Sequence, residues 1–171
     1  IIFGGSQDNG IMNTYDYGST WDHYQGGDGF KAIINHGDPD EILYQAPSGV
    51  IKEKVGNMPV TLFTCANQGE QTYFNAPFIQ HPTNPDYFYV GCENIWRKDG
   101  AGIWTLFASI SASNNKPLSQ IELAPSDPDN TIYVADVGKQ LHYSGNGGSS
   151  WTTYSVSERI NGIAVDSDEP N

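Results

Sequence analysis

The chain has 171 residues and a net charge of −12, because eight Lys and Arg face twenty Asp and Glu. Binding to nucleic acid depends on cationic side chains that displace counterions from phosphates, so this composition argues against a nucleic-acid partner. An anionic membrane surface would repel the chain for the same reason, and no stretch approaches the roughly 18 apolar residues of a membrane-spanning helix. Ile1 already lies in a predicted strand, so we expect either a processed leader or a fragment of a longer protein.

The predicted elements are apolar runs of strand length that recur in a fixed order of four, which we call A, B, C and D. The chain opens with runs B, C and D at Ile1–Gly4, Ile11–Asn13 and Thr20–Asp22. The full order then follows three times: Phe30–His36, Ile42–Tyr44, Val50–Lys52 and Val60–Phe63; Ala76–Pro82, Tyr87–Val90, Ile95–Arg97 and Ile103–Leu106; Leu118–Pro125, Thr131–Val134, Leu141–Tyr143 and Ser150–Thr153. A last run A, Ile160–Asp166, precedes the end.

Each run A is followed by a turn that contains proline: Asp38–Pro39, Asn84–Pro85, Asp127–Pro128 and Glu169–Pro170. An aromatic residue of run B, at Phe3, Tyr44, Tyr89 and Tyr133, recurs roughly every 43 residues, which is a repeat of the length used by propellers. Four short antiparallel strands per repeat form one propeller blade. We therefore predict an all-β propeller of four-stranded antiparallel blades. Residues 1–171 form a single domain of four repeats, or part of a larger propeller, cut between the proline turn and run B.

The turns between runs C and D carry a second pattern, Ser/Thr-x-Asp-x-Gly-x-Thr-Trp. The first turn matches it at every fixed position, including Thr14, Asp16, Gly18 and Trp21. The fourth turn matches with Ser144, Asn146, Gly148 and Trp151, and the third keeps Asp99 and Trp104. The second repeat has Lys52–Pro59 in this place and has lost the pattern.

With these turns the chain resembles the Asp-box, or BNR-repeat, propellers, a group that includes sortilin-like domains, sialidases and xyloglucanase-type glycoside hydrolases. Gly4–Gly10 followed by Gly26–Gly29 looks most like secreted bacterial proteins with sortilin-like repeats. The resemblance covers essentially the whole chain and implies an extracellular or cell-surface location. The box residues are expected to be structural: the acidic side chain accepts backbone N–H groups, glycine supplies positive φ, and tryptophan packs between sheets.

Propeller geometry brings the B–C and D–A loops together on one face, where ligands usually bind. Carboxylates, amides and an aromatic are expected there: Gln7, Asp8, Asn9, Asp28, Tyr73, Glu93, Asn94 and Asp136. This set suits a polar, uncharged ligand such as a glycan, and its oxygens also suit Ca²⁺; no other metal or cofactor is predicted. Asp and Asn beside Gly are equally common in tight turns, so a structural role remains open. Asp136 and Arg159 are expected at the solvated surface.

Three functions remain open. The first is a binding or interaction module for a glycan or a protein, since no nucleophile motif and no Cys/His metal spacing is present. The second is a glycoside hydrolase, which needs two carboxylates across the sugar bond; Asp8 and Asp28 are the pair to test. A sialidase fits poorly, because that family uses three arginines and only Arg97 and Arg159 are present. The third is self-association, or assembly with the remainder of a larger propeller. Cys65 and Cys92 either form a disulfide or stay as two buried thiols.

Overall fold

The computed structural model describes residues 1–110 and 115–168, in which fifteen β-strands follow the predicted order. The strands are β1 (Ile2–Ser6), β2 (Gly10–Thr14), β3 (Asp22–Gln25), β4 (Ala32–Ile34), β5 (Ile42–Ala46), β6 (Val50–Val55), β7 (Met58–Thr64), β8 (Phe78–Gln80), β9 (Phe88–Gly91), β10 (Ile95–Lys98), β11 (Trp104–Ala108), β12 (Leu118–Leu123), β13 (Ile132–Asp136), β14 (Gln140–Ser144) and β15 (Thr152–Ser155). A 3₁₀ helix, Cys65–Gln68, follows β7. Within the described ranges, no helix is long and apolar enough to cross a membrane.

The strands form four antiparallel sheets in which neighbours in the sheet are also neighbours in the chain. Sheet 1 contains β1–β3, sheet 2 contains β4–β7, sheet 3 contains β8–β11 and sheet 4 contains β12–β15. Because successive side chains of a strand point to opposite faces, a strand between two packed sheets must be apolar on both. Strand β5 largely meets this condition, since all five of its residues are buried and only Gln45 among them is polar. The predicted all-β propeller of short antiparallel sheets is confirmed.

Apolar side chains between successive sheets form the core. Leu43 and Phe63 of sheet 2 pack with Phe78 and Phe88 of sheet 3 in one cluster. A second cluster joins sheets 3 and 4 and includes Tyr89. Between sheets 1 and 2 the contacts are aromatic: Phe3, Tyr24 and Tyr44 have ring centroids 5.8–6.2 Å apart. Burial of each sheet against its neighbour therefore contributes to holding the sheets together, and hydrogen bonds between sheets add to it, such as that from the Tyr44 hydroxyl to Gln25 Oε1 at 2.6 Å.

The predicted alignment of Tyr44 with Tyr89 is wrong by one residue. Leu43 pairs with Ile33 as Tyr89 pairs with Ile79, so Leu43 is the equivalent residue. Tyr44 points to the preceding sheet, against Tyr24, whereas Tyr89 belongs to the cluster shared with the following sheet. The error arises because β5 is apolar at every position before Gln45. Without an alternation of apolar and polar residues, the sequence does not show which residue of β5 is equivalent to Tyr89.

The last predicted run A, Ile160–Asp166, is not a strand, and sheet 1 consequently has three strands where four were predicted. The segment instead contacts sheet 4, where the Ser119 hydroxyl donates a hydrogen bond of 3.4 Å to the Ile160 carbonyl. The Glu169–Pro170 turn lies outside the described residues.

The second repeat has a long hairpin where the others have the C–D turn pattern. Strands β6 and β7 extend to Val55 and Met58, which pair with each other. Gly56 then begins a two-residue turn with φ 57°, as this tight hairpin requires. The loss of the C–D turn pattern from Lys52–Pro59 thus coincides with a longer strand pair.

Candidate ligand-binding site

Asp8 and Asp28, the pair predicted for hydrolysis, are brought together by a hydrogen bond from backbone to side chain. The Asp8 backbone N–H donates to Asp28 Oδ1 at 2.8 Å. Asp8 has φ 64°, a left-handed conformation that Asp tolerates better than most residues. Asn9, the next residue, also stabilises the turn, because its Nδ2 donates to the Gln7 carbonyl at 3.3 Å. Asp28 therefore fixes the conformation of the neighbouring B–C turn.

Glu93 and Asn94 belong to a contact between two loops that is centred on Glu70. One Glu70 oxygen accepts the backbone N–H groups of Glu93 and Asn94, each at 3.0 Å. The other accepts Asn94 Nδ2 at 2.9 Å and the Trp96 indole N–H at 3.1 Å. Glu93 itself accepts the Gln71 backbone N–H at 3.1 Å. Both predicted ligand-binding residues therefore hold the D–A loop of sheet 2 against the B–C turn of sheet 3.

The same two loops are joined covalently. Cys65 and Cys92 form a disulfide with a Cα–Cα separation of 5.7 Å, which settles the alternative that the sequence left open. Both cysteines are fully buried in the cluster between sheets 2 and 3. Glu70 follows Cys65 closely in the chain, so the disulfide places the loop where the carboxylate can reach the opposite turn.

Asp136 is fully buried, so the expectation of a solvated surface residue is wrong. Its Oδ1 accepts the backbone N–H groups of Gly138 at 2.7 Å and Gln140 at 3.1 Å. Its Oδ2 lies 3.4 Å from His142 Nε2, and burial lowers the pKa of that imidazole. The carboxylate satisfies the amides of its own turn, because an unpaired buried N–H would be costly.

Tyr73 and Arg159 contact each other. The Arg159 guanidinium carbon lies 4.0 Å from the centre of the Tyr73 ring, within the range of a cation–π contact. Arg159 is half-buried, and its Nε is buried without a hydrogen-bond partner in the described chain. Arg159 is thus not the solvated surface residue that the sequence led us to expect.

The C–D turns of sheets 1 and 4 have the same hydrogen bonds. Asp16 Oδ1 accepts the Thr20 backbone N–H at 2.9 Å, and the Thr14 hydroxyl accepts the Gly18 N–H at 3.0 Å. The Thr20 N–H, followed by the Thr14 and Thr20 hydroxyls, lowers the pKa of Asp16 to about 2. In the fourth turn Asn146 Oδ1 accepts the N–H of Ser150 at 2.9 Å, and Ser144 Oγ accepts that of Gly148 at 2.9 Å. Asp99 likewise accepts the N–H groups of Ala101 and Ile103, both at 3.0 Å.

The three tryptophans of these turns have different surroundings. Trp104 packs against Phe63, with ring centroids 4.8 Å apart, and Trp151 packs against the cluster between sheets 3 and 4. Trp21 is 47% exposed, contrary to the expected packing between sheets. Each of the two packed tryptophans contacts the sheet that precedes its own in the chain.

A central cavity of about 490 Å³ lies between the inner strands of all four sheets. Polar residues contribute much of its wall: Gln7, Lys31, Gln45, Asn75, Ser119, Gln120 and Glu122. Desolvation lowers the pKa of Lys31 and raises the pKa of Glu122, while the charge of each opposes the shift of the other. Phe30 adds an aromatic ring to the wall. Of the predicted binding residues, Gln7 lines this cavity.

Sequence reasoning missed Gln45, which is 1% exposed and has neither side-chain amide atom hydrogen-bonded within the described chain. Gln45 ends an apolar strand and carries no motif, so nothing local marks it. Among the described residues, no group of three or more His, Cys, Asp or Glu side chains is arranged to hold a metal ion.

Antiparallel sheets of three or four strands around a central cavity define a β-propeller architecture. No protein-family model and no curated protein matches the chain. Solved structures do match it. The crystal structure of an ancestral GH74 enzyme superimposes with a TM-score of 0.62 at 14% identity, covering 87% of this chain and 22% of that one. The GH74 xyloglucanase from Xanthomonas campestris superimposes with a TM-score of 0.60 at 13% identity, covering 87% of this chain and 27% of that one. The chain thus spans less than a third of either structure, and at this identity the similarity establishes the fold alone.

Proposed function

We propose that this chain is an Asp-box propeller module of an extracellular protein, and that it binds a neutral glycan without hydrolysing it. The Asp-box assignment is supported by the turns at Asp16 and Asn146, whose side chains accept the same backbone N–H group four residues on. The extracellular location is supported by the Cys65–Cys92 disulfide, because disulfides persist mainly outside the reducing cytosol.

The observation that carries the proposal is which groups the carboxylates of the B–C and D–A loops bind. Asp28, Glu70, Glu93 and Asp136 each accept at least one backbone N–H group. Each of these carboxylates thus has an oxygen engaged in holding its loop, whereas a general acid or base must present its carboxyl group to the substrate. These four carboxylates therefore suit fixed loops rather than proton transfer. These four carboxylates are not among the residues that line the central cavity, where four of the seven polar residues are amides; amides match the hydroxyl groups of a sugar.

A second candidate function is glycoside hydrolysis, favoured by the similarity to two GH74 enzymes, one of them a xyloglucanase. That reaction requires one carboxyl group as acid and another as base or nucleophile. Asp8 and Asp28 remain the pair that this alternative would use. Asp28 Oδ1 holds the Asp8 backbone N–H at 2.8 Å, so Oδ2 is the oxygen that would act on the sugar.

The two functions are separated by measuring binding and product formation on the same substrates. The chain, with its disulfide intact, is run through native gels containing soluble xyloglucan, mixed-linkage β-glucan, xylan or galactomannan, and new reducing ends are counted after long incubation. We expect retardation by at least one polysaccharide and no new reducing ends. The Asp8→Asn and Asp28→Asn variants should be retarded like the wild type. Reducing ends that disappear in either variant would establish hydrolysis and refute the proposal.

A further inference from the structure

Gln45 has a side chain that is buried at the wall of the central cavity. Its backbone is satisfied, because its N–H donates to the Lys31 carbonyl at 2.9 Å and its carbonyl accepts the Phe30 N–H at 3.2 Å. Its side-chain oxygen and nitrogen are both buried and make no hydrogen bond within the described chain. Unsatisfied polar groups in folded proteins are rare and costly, and they call for a specific explanation.

The surrounding wall offers further amides. Gln7, Asn75 and Gln120 line the same cavity; Gln7 and Asn75 are exposed and Gln120 is half-buried, so a ligand can reach them. An amide presents both donors and an acceptor, so a ring of amides can match hydroxyl groups in either role. Ser119 contributes less, since its hydroxyl contacts the Ala135 and Ile160 carbonyls.

An aromatic surface stands beside these amides. Phe30 lines the cavity and meets Phe74 edge to face, with ring centroids 5.2 Å apart. Phe74 is 46% exposed, so the pair extends from the cavity wall to solvent. Pockets for small polar ligands usually combine an apolar surface with a few placed polar groups. A pyranose ring, with apolar C–H groups on its faces and hydroxyls on its edge, fits that combination.

The two charged residues of the cavity wall are opposite in sign. Lys31 and Glu122 both line the cavity and interact electrostatically, so they add no net charge to it. The whole chain carries −12, and its field disfavours an anionic ligand. The ligand that matches this cavity is therefore neutral and rich in hydroxyl groups.

Resting on the proposed function, we propose that the central cavity is the glycan-binding site. At the base of this cavity, Gln45 hydrogen-bonds a hydroxyl group of the sugar. The ligand is a neutral sugar unit that stacks on Phe30 and contacts Gln7 and Gln120 at its edge. Both amide atoms of Gln45 are buried in the free protein, so the amide turns toward the cavity as the sugar binds, and the sugar supplies the partners that the amide lacks.

The test is the Gln45→Met variant, which keeps the side-chain length and removes both amide atoms. It is titrated calorimetrically with the neutral polysaccharide that retards the wild type, and its melting temperature is measured. Loss of one neutral hydrogen bond weakens binding by about tenfold. The melting temperature should stay unchanged or rise, because an unsatisfied buried amide is replaced by an apolar group. Gln68→Met is the matched control, since Gln68 is exposed on the 3₁₀ helix, and it should change neither quantity.

Gln120→Met provides a second cavity variant at a half-buried position. It is expected to weaken binding severalfold. Wild-type affinity in both cavity variants would overturn the site while leaving the proposed function intact. A fall in the melting temperature of Gln45→Met would also overturn it, because it would show that the amide has a structural partner. Failure of the wild type to bind any of the four polysaccharides would refute the function and the site together.

Discussion

The contact centred on Glu70 yields a quantitative prediction about stability. The Glu70→Ala substitution removes the acceptor of four hydrogen bonds, from the N–H groups of Glu93 and Asn94, from Asn94 Nδ2 and from Trp96 Nε1. A hydrogen bond to a charged group contributes about 1.5–3 kcal/mol, and an unsatisfied buried donor costs a similar amount. Since Glu93, Asn94 and Trp96 are half-buried, water can replace part of this loss. We expect Glu70→Ala to lower the free energy of unfolding by about 3 kcal/mol.

Glu93→Ala is the matched control for this prediction. It is the same substitution in the same pair of loops, but its side chain accepts one N–H group, that of Gln71, and the expected loss is about 1 kcal/mol. The assay is urea unfolding at pH 7 with the Cys65–Cys92 disulfide intact, followed by circular dichroism. A loss below about 0.5 kcal/mol for Glu70→Ala, or equal losses for the two variants, would refute the reasoning.

Three further predictions concern stability. Reducing the disulfide, or replacing Cys65 and Cys92 by Ser, opens a loop with a sequence separation of 27 and should cost about 3 kcal/mol in urea unfolding; an unchanged midpoint would contradict this. Folding lowers the pKa of Asp16 from its ordinary value of 3.8 to about 2, so the contribution of this carboxylate to stability is present above pH 4 and is lost as the pH falls to 2. The stability difference between wild type and Asp16→Asn should therefore shrink across that range, and a constant difference would argue against the assigned pKa. Lys98→Met leaves the half-buried Glu41 carboxylate without the ammonium group that lies 2.7 Å away, and should cost about 3 kcal/mol. Adding Glu41→Gln should recover most of the loss, and additive losses would indicate that the pair is not coupled.

The fold was predictable from the sequence because its signals are local. Turn residues punctuate short apolar runs, and the side chains of Asp16 and Asn146 bond to backbone groups only four residues away. Errors arose where pairing depends on distant residues. The register at Tyr44 was undefined because both Leu43 and Tyr44 are fully buried. Whether Ile160–Asp166 forms a strand depends on a partner elsewhere in the chain, which the composition of the segment does not specify.

The candidate site was less predictable, since its residues acquire their roles from tertiary contacts. Asp28 and Glu70 resemble accessible loop carboxylates in the sequence, yet each accepts the N–H of a residue at least 20 positions away. Gln45 shows the opposite case. It lies at the end of a strand with no motif, and its significance comes from the cavity and from its unpaired amide.

A crystal structure of the chain with a bound neutral oligosaccharide tests the central claim most directly. The oligosaccharide should be a fragment of the polysaccharide that retards the protein in native gels. The account predicts an intact sugar unit in the central cavity, with a hydroxyl group within hydrogen-bond distance of the Gln45 amide and a ring face on Phe30. A sugar bound outside the cavity would contradict the site, and a cleaved sugar beside Asp8 and Asp28 would contradict the function.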